Sequence, residues 1–241
     1  MEFLSPLNIS LRSIEIEVDE KIASSLRPPD LVKDTFTQLC RDKLEPTGLT
    51  EIRKALSYAE SLTSSDPHHP SMKAYFAHPL RVATFVLRLS AWPSPETVAM
   101  GLVHNVFEIS DLDETDLVNA GFSRRLAEGI RLLTIDRSRQ YDEDYLTTFY
   151  RDIETFGSDL ALVKCCDRLD NLLVFDLIER NEKLSLYLNL SERFVVPMAA
   201  RLAPDFGQYL HAVIARMQGS DCNRELKREY ELFLASQNAS S

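Results

Sequence analysis

Glycine is scarce in this chain, with only seven residues among 241, and runs of β-branched residues are short. Leu, Ala, Glu and Arg dominate instead, and these residues favour helix. Hydrophobic residues make up 44% of the chain and charged residues 27%, as in ordinary globular proteins. A chain of this length can bury a full core. The composition therefore predicts an all-α protein.

The sequence has no CxxC pair and no long apolar run. Its four cysteines are Cys40, Cys165, Cys166 and Cys222, and the adjacent pair is poorly placed for a disulfide framework. We expect that pair to be small buried packing in a protein from a reducing compartment. No run of eighteen apolar residues occurs, and the N-terminus MEFLSPLNISLRSIEIEVDE is too acidic and broken for a secretory signal. These absences predict a cytoplasmic protein with no membrane partner.

Positive charge is in deficit, with 27 Lys and Arg residues against 37 Asp and Glu residues and a net charge of −10. Such a chain has no overall attraction for nucleic acid or for an anionic membrane. It also lacks a zinc-finger or helix-turn-helix signature. A phosphate-bearing ligand would therefore need a local basic pocket or a bridging cation.

The sequence predicts one principal helical domain, residues 45–241, after an N-terminal extension, residues 1–44. In the extension, a helical stripe between residues 11 and 26 is longer than the strand-like alternation of Ile14, Ile16 and Val18, so we favour helix. This extension is a candidate surface for a protein partner.

Capping residues mark several helices of the predicted domain. Ser94 followed by Pro95 is the clearest helix start, and we expect Thr50, Ser123 and Ser158 to cap other helices. Pro197 is expected to kink its helix. The predicted helices cover about residues 30–42, 50–62, 78–92, 94–109, 113–120, 124–133, a segment ending near 157, and then 158–178, 187–201, 205–217 and 223–235.

The stretch LVHNVFEIS, residues 102–110, places three polar residues in a predicted apolar helix. His104 and Glu108 would lie on one face, with Asn105 beside His104. A buried polar group must find a partner, so such a cluster does not stabilise an apolar helix by itself. The cluster therefore indicates a metal site or a proton-transfer site.

Two distant residues can complete that site. His78 begins an apolar helix, and Asp167 lies mid-helix after LALVKCC, where aspartate is a poor helix former. Each histidine also fits a capped or core position, and Asp167 also fits an ion pair with Arg168 or Lys164 on a solvated face. Combined with the imidazole and amide of LVHNVFEIS, these residues form a nitrogen and oxygen ligand set. It suits a first-row divalent ion such as manganese or iron.

Three motifs carry a family resemblance. Residues 75–79 read YFAHP, residues 102–109 read LVHNVFEI and residues 166–171 read CDRLDN, with 26 positions from His78 to His104. They resemble the motifs YxxHP, LLHDxxED and ADRLxN of the HD-domain metal-dependent phosphohydrolases. The resemblance is closest to the hydrolase domain of RelA/SpoT-type proteins and to small alarmone hydrolases. It covers about residues 50–217 and implies an HD-domain helical bundle carrying the N-terminal extension.

The resemblance also implies roles for individual residues. His78, His104 and Asp167 would bind Mn²⁺ or another divalent first-row metal, and position 105 would be the fourth ligand. That position holds Asn105, a neutral group, so the metal site is expected to be weakened or empty. Glu108 would act with Asn105 in catalysis, near the attacking water. The next acid of the family motif is replaced by Ile109.

Substrate contacts follow from the same resemblance. They would come from Lys73, Tyr145, Arg168 and Asn171. Further candidates for binding phosphate are Arg81, Arg137, Arg139 and Arg151, each of which also fits a solvated surface charge.

Two functions are compatible with these features. The first is a metal-dependent phosphohydrolase that acts on a nucleotide such as guanosine tetraphosphate and removes its 3′-pyrophosphate. The second is a catalytically impaired relative that keeps the fold and serves as a nucleotide-binding or protein-binding regulator. The substitutions Asn105 and Ile109, which both fall on the catalytic motif, are what the second hypothesis expects.

Overall fold

The structure, a computed structural model, describes residues 30–62, 76–173 and 181–219, with the short stretches 227–228 and 231–232. Across these residues the regular structure is helical and no β-strand forms, which confirms the all-α prediction. The helices are α1 Asp30–Lys43, α2 Pro46–Ser61, α3 Ala77–Leu89, α4 Pro95–Val103, α5 Val106–Ile109, α6 Glu114–Asn119, α7 Arg124–Leu133, α8 Glu143–Phe156, α9 Ser158–Leu172, α10 Glu182–Leu190, the π-helical segment Ser191–Val195, α11 Val196–Leu202 and α12 Pro204–Gly219.

Helices α3, α4 and α9 form the centre of the bundle. Helix α9 packs against α3 and α4 on one side and against α8 and α11 on others, so residues 160–170 are all buried. Residues 97–103 of α4 are buried as well. A helix buried on all sides normally carries apolar residues alone. The charged residues of α9 therefore need partners inside the bundle.

Two predicted helix starts are confirmed. Ser94 Oγ accepts a hydrogen bond from Thr97 N at 3.0 Å, with Pro95 in the first helical position. Ser123 Oγ accepts in the same way from Leu126 N at 2.9 Å. Both serines therefore satisfy a backbone donor that the first turn leaves without a helical partner.

Two predicted caps were wrong. Helix α2 begins at Pro46, a turn before Thr50, because proline fits the first turn of a helix, where its missing N–H has no helical acceptor. Ser158 is the first residue of α9, and the capping position belongs to Gly157, which has no side chain that could accept a hydrogen bond.

Helix α1 lies within the predicted extension and packs against α3. Its Phe36 and Cys40 are buried and join the same core as the rest of the bundle. The helix predicted near residues 11–26 lies outside the described residues, as does most of the one predicted at 223–235. The domain boundary at residue 44 stays a prediction.

The C-terminal helices differ from prediction at one place. A single helix was predicted for residues 187–201, but α10 begins at Glu182 and a π-helical segment separates it from α11. Pro197 lies in the first turn of α11, directly after this segment. The wider π turn is the local departure from α geometry that accompanies the proline. Among the described residues, no helix combines the length and apolar character needed to cross a bilayer.

Replacing Gly207 with alanine should destabilise the protein. A Cβ at this position of α12 would lie 2.6 Å from Ala200 Cβ and 2.8 Å from Ala200 Cα, so backbone must move. We expect the free energy of unfolding in urea to fall by about 1–3 kcal/mol, more than the gain in helix propensity. Gly219→Ala, on the same helix with no atom within 4 Å of its Cβ, is the control. Equal unfolding midpoints for the two variants would contradict this packing.

Candidate metal centre

Three side chains from the central helices meet inside the bundle. His78 comes from the start of α3, His104 from the end of α4 and Asp167 from the middle of α9. The two histidine Nε2 atoms are 3.2 Å apart. Asp167 Oδ1 lies 3.4 Å from Nε2 of His78 and 3.6 Å from Nε2 of His104.

A break in the helix positions His104. The sequence predicts one helix across residues 94–109, but α4 ends at Val103 and α5 begins at Val106. Asn105, with φ −117° and ψ 14°, lies outside helical geometry. Stacking of His104 over Glu108 on one continuous helix face was therefore a wrong expectation. Gly101 brings α4 against α3, since a Cβ there would lie 3.1 Å from Ala83 Cα.

The other ring nitrogen of each histidine is held by an acceptor. His78 Nδ1 lies 2.6 Å from Asp170 Oδ2, and His104 Nδ1 lies 2.9 Å from the Gly101 carbonyl oxygen. An ionised carboxylate and a carbonyl can only accept, so both Nδ1 atoms donate. Nε2 of each neutral ring therefore carries a lone pair directed at the other ring and at Asp167. Histidines that bind metals typically donate the N–H of the other ring nitrogen to a carboxylate or carbonyl, which fixes the tautomer and the orientation of the ring.

Asp167 is buried but its charge is matched. Lys164 Nζ donates to Oδ2 at 2.9 Å and Asn171 Nδ2 donates to Oδ1 at 2.8 Å. Burial favours the neutral acid, but the positive charge of Lys164, together with the two adjacent imidazoles, outweighs it and holds the pKa of Asp167 well below its usual range. The partner is thus Lys164, as one sequence interpretation held, though the pair lies in the interior and not on a solvated face.

The donor atoms fit a divalent cation. Ligand atoms about 2.1 Å from an ion at tetrahedral angles lie about 3.4 Å from one another, close to the three distances observed here. Without a cation, a proton must separate these electron-rich atoms. Burial lowers the pKa of His78, but hydrogen bonds and charge from Asp167 and Asp170 outweigh this effect and raise it. Imidazole nitrogen with carboxylate oxygen suits several first-row metals.

Glu108, Asn105 and Ile109 occupy different environments. Glu108 Oε1 accepts from Ile135 N at 3.4 Å, and Oε2 lies 3.8 Å from Arg137 Nη2, with the Glu108 side chain 19% exposed. Asn105 is buried in the break beside His104. Ile109 is 2% exposed, so the position of the missing second acid faces the interior.

The structure places Arg168 in an aromatic cluster. Its Nη2 donates to Tyr150 Oη at 2.9 Å, its Nη1 to Ser191 Oγ at 3.4 Å, and its guanidinium lies 4.0 Å from the ring centroid of Tyr187. Tyr150 in turn stacks on Phe194. Burial raises the pKa of Tyr187 to about 12 despite the nearby guanidinium. These contacts join α8, α9, α10 and the π-helical segment.

Tyr145 lines a separate cavity of about 620 Å³. Its hydroxyl accepts from Asp136 N at 2.8 Å. The cavity walls also include Phe107, Leu112, Asp113, Glu114, Thr115, Arg131, Thr134 and Ile135.

The other basic residues proposed to bind phosphate form ion pairs with acidic residues or lie outside the described residues. Arg139 pairs with Asp142 and Arg151 with its neighbour in sequence, while Arg81 pairs with Asp170. Lys73 lies outside the described residues.

Asp170 is the residue that the sequence analysis missed. It is fully buried, contacts His78 and accepts from Arg81 Nε at 2.9 Å. The available signal was a second aspartate three positions after Asp167, which places both on one face of a helix.

The adjacent cysteines are buried, as predicted. Cys165 and Cys166 are fully buried, and burial raises the pKa of both thiols. Burial likewise raises the pKa of Cys40 to about 12. These thiols therefore stay protonated and act as small apolar packing groups.

Fold and site together define an all-α protein with a candidate divalent-metal triad. No family model matches the chain. It is similar to a probable guanosine-3′,5′-bis(diphosphate) 3′-pyrophosphohydrolase of Mycoplasma pneumoniae, with 27% identity over 192 residues. The match covers 71% of this chain and 26% of that relative, so the chain spans about a quarter of its relative's length.

Removing the Tyr150 hydroxyl should destabilise the bundle. Tyr150→Phe keeps the ring but leaves Arg168 Nη2 without this acceptor in the interior. An unsatisfied buried donor costs about 1–3 kcal/mol, which we expect as the loss in free energy of unfolding by urea. Tyr141→Phe, at an exposed ring, is the control and should change little. If both variants unfold like the wild type, the hydrogen bond does not contribute to stability.

Proposed function

We propose that this chain is a divalent-metal-dependent pyrophosphohydrolase that acts on a nucleotide carrying a 3′-pyrophosphate, with guanosine tetraphosphate as the first candidate. The observation that carries the proposal is the convergence of His78, His104 and Asp167 within 3.6 Å, with both histidines held by their Nδ1 atoms. The similarity to a probable pyrophosphohydrolase supports the substrate class.

In this proposal His78 Nε2, His104 Nε2 and Asp167 Oδ1 hold the metal, and the Asn105 amide oxygen is a fourth, neutral candidate. A divalent ion at this place supplies Lewis-acid polarisation of a phosphoryl oxygen and lowers the pKa of water. Mn²⁺ is the first candidate among ions that accept imidazole and carboxylate ligands.

The reaction joins a water oxygen to phosphorus of the 3′-pyrophosphate and breaks the bond from that phosphorus to the ribose 3′-oxygen. Glu108 is the candidate to accept the water proton. Its carboxylate is partly exposed, and it lies three positions after Asn105 in the sequence. The ribose 3′-oxygen takes up a proton from solvent and leaves as a hydroxyl, and Glu108 releases the proton that it accepted to solvent. Arg137, which lies near Glu108, is a candidate to balance charge on the phosphoryl oxygens.

Substrate binding requires further contacts. Asn171 lies beside Asp167 and is the best-placed of the three predicted substrate residues that the structure describes. Tyr145 lines the separate cavity, Arg168 is engaged in its aromatic cluster and Lys73 remains a sequence-based candidate. A location in the cytoplasm and a protein partner for the N-terminal extension remain parts of the proposal.

Two substitutions favour a second candidate function. Asn105 gives the site no charge, and Ile109 is buried where the family motif has an acid. A protein with these substitutions could bind a nucleotide as a regulator and hydrolyse it slowly or not at all. Loss of one group that stabilises the transition state typically lowers the rate about 10²–10³-fold.

The metal site predicts that the purified protein binds divalent cation at one site per chain. His104→Gln should weaken Mn²⁺ binding in calorimetry by more than the roughly 10–100-fold that an outer hydrogen-bond partner contributes, because it removes a ligand. His211→Gln, at an exposed histidine paired with Glu192, should bind like the wild type. Binding that survives unchanged in His104→Gln would place the cation elsewhere.

Hydrolysis should respond to charge at position 105. With Mn²⁺ present, Asn105→Asp should release pyrophosphate from guanosine tetraphosphate at least about tenfold faster than the wild type, equivalent to about 1.4 kcal/mol of barrier. Asn181→Asp adds the same charge at an exposed helix cap and is the control. Tight guanosine tetraphosphate binding with no turnover by either the wild type or Asn105→Asp would favour the regulator.

A further inference from the structure

Asp170 connects the metal-site histidine to a buried arginine. Its side chain is fully buried, with Oδ2 at 2.6 Å from His78 Nδ1 and Oδ1 at 2.9 Å from Arg81 Nε. Arg81 Nη2 adds a longer contact of 3.4 Å to Oδ2. The Arg81 side chain is itself only 13% exposed. Asp170 of α9 thus bridges two residues of α3, His78 and Arg81, through hydrogen bonds and an ion pair.

A fully buried carboxylate is costly unless its charge is paired and its oxygens are hydrogen-bonded. Arg81 supplies the opposite charge for Asp170, and its donors engage both oxygens. A short contact of 2.6 Å also joins Asp170 Oδ2 to His78 Nδ1. Because Asp170 can only accept in its ionised form, that contact fixes the proton of a neutral His78 ring on Nδ1.

The two histidines of the triad differ in this respect. His104 donates to a neutral carbonyl, that of Gly101, whereas His78 donates to a full negative charge. A carboxylate behind a ligating imidazole makes the ring a stronger donor and holds its orientation. His78 therefore has the stronger of the two Nδ1 hydrogen bonds. This matters for cation binding because Asn105 adds no negative charge to the proposed site.

We propose that Asp170 is a positioning residue that fixes His78 as the Nδ1–H tautomer, directs its Nε2 at the triad and strengthens divalent-cation binding there. The inference rests on the proposed function in taking the triad as the cation site. Arg81 acts one step further out, because its guanidinium contacts both oxygens of the Asp170 carboxylate.

The first test measures cation affinity with Co²⁺, whose absorption spectrum also reports its ligands. Asp170→Asn keeps the shape of the side chain and removes its charge. We expect Co²⁺ to bind about 10–100-fold more weakly than to the wild type, with an altered visible spectrum. Asp159→Asn is the matched control, since Asp159 is an arginine-paired aspartate at the far end of the same helix. It should bind Co²⁺ like the wild type.

Asp170→Asn also removes the negative charge that faces Arg81, so the fold of the variant is checked by far-ultraviolet circular dichroism. The double variant Asp170→Asn with Arg81→Gln removes both charges. If the single variant does not fold, Co²⁺ affinity and the Co²⁺ spectrum are measured on the double variant. Wild-type affinity and an unchanged Co²⁺ spectrum in a folded Asp170 variant would overturn the inference and leave the proposed function standing.

The second test needs no substitution and no metal. Nitrogen-15 NMR of the histidine rings in the metal-free wild type, at a pH where His78 is neutral, reports which nitrogen carries the proton. The inference requires Nδ1–H for His78, and Nε2–H would overturn it. A wild type that binds no Co²⁺ would overturn the proposed function together with the cation-binding part of the inference, whatever the tautomer.

Discussion

The structure depends on the meeting of two imidazoles and a carboxylate in the interior of an otherwise apolar bundle. Three electron-rich atoms within 3.6 Å of one another repel unless a proton or a cation lies among them. Their burial also requires opposite charge close by. Lys164 provides it for Asp167, and Arg81 provides it for Asp170 behind His78. A buried polar cluster whose members are each paired with a further charge or hydrogen bond is typical of a ligand site. Packing alone is achieved more simply with apolar side chains.

This constraint accounts for the arrangement of the central helices. Helix α9 supplies Lys164, Asp167 and Asp170 and is covered by the neighbouring helices, so the charges of these residues must be paired inside the bundle. Helices α3 and α4 approach closely at Gly101, which brings the two histidines together. The helix breaks after Val103, so Asn105 lies in the break and Glu108 lies on the separate short helix α5.

Sequence patterns predicted the parts of the structure that depend on local chemistry. The Ser94–Pro95 start follows from capping rules that involve a few neighbouring residues. The convergence of His78, His104 and Asp167 was expected from motif order, and the structure brings these residues together. Tertiary contacts decided the rest. Helical spacing places Asp170 on the face of Asp167, but it could not show that Asp170 pairs with Arg81 or that Arg168 lies among tyrosines. The interruption at Asn105 is also invisible in a pattern that fits one unbroken helix.

The proposed metal site is tested most directly by X-ray absorption spectroscopy of the protein loaded with Zn²⁺, which identifies the atoms bound to the ion. The proposal predicts scattering from two imidazole rings together with oxygen ligands and no sulfur, as the triad of His78, His104 and Asp167 requires. A spectrum with sulfur ligands, or with no imidazole scattering, would contradict it.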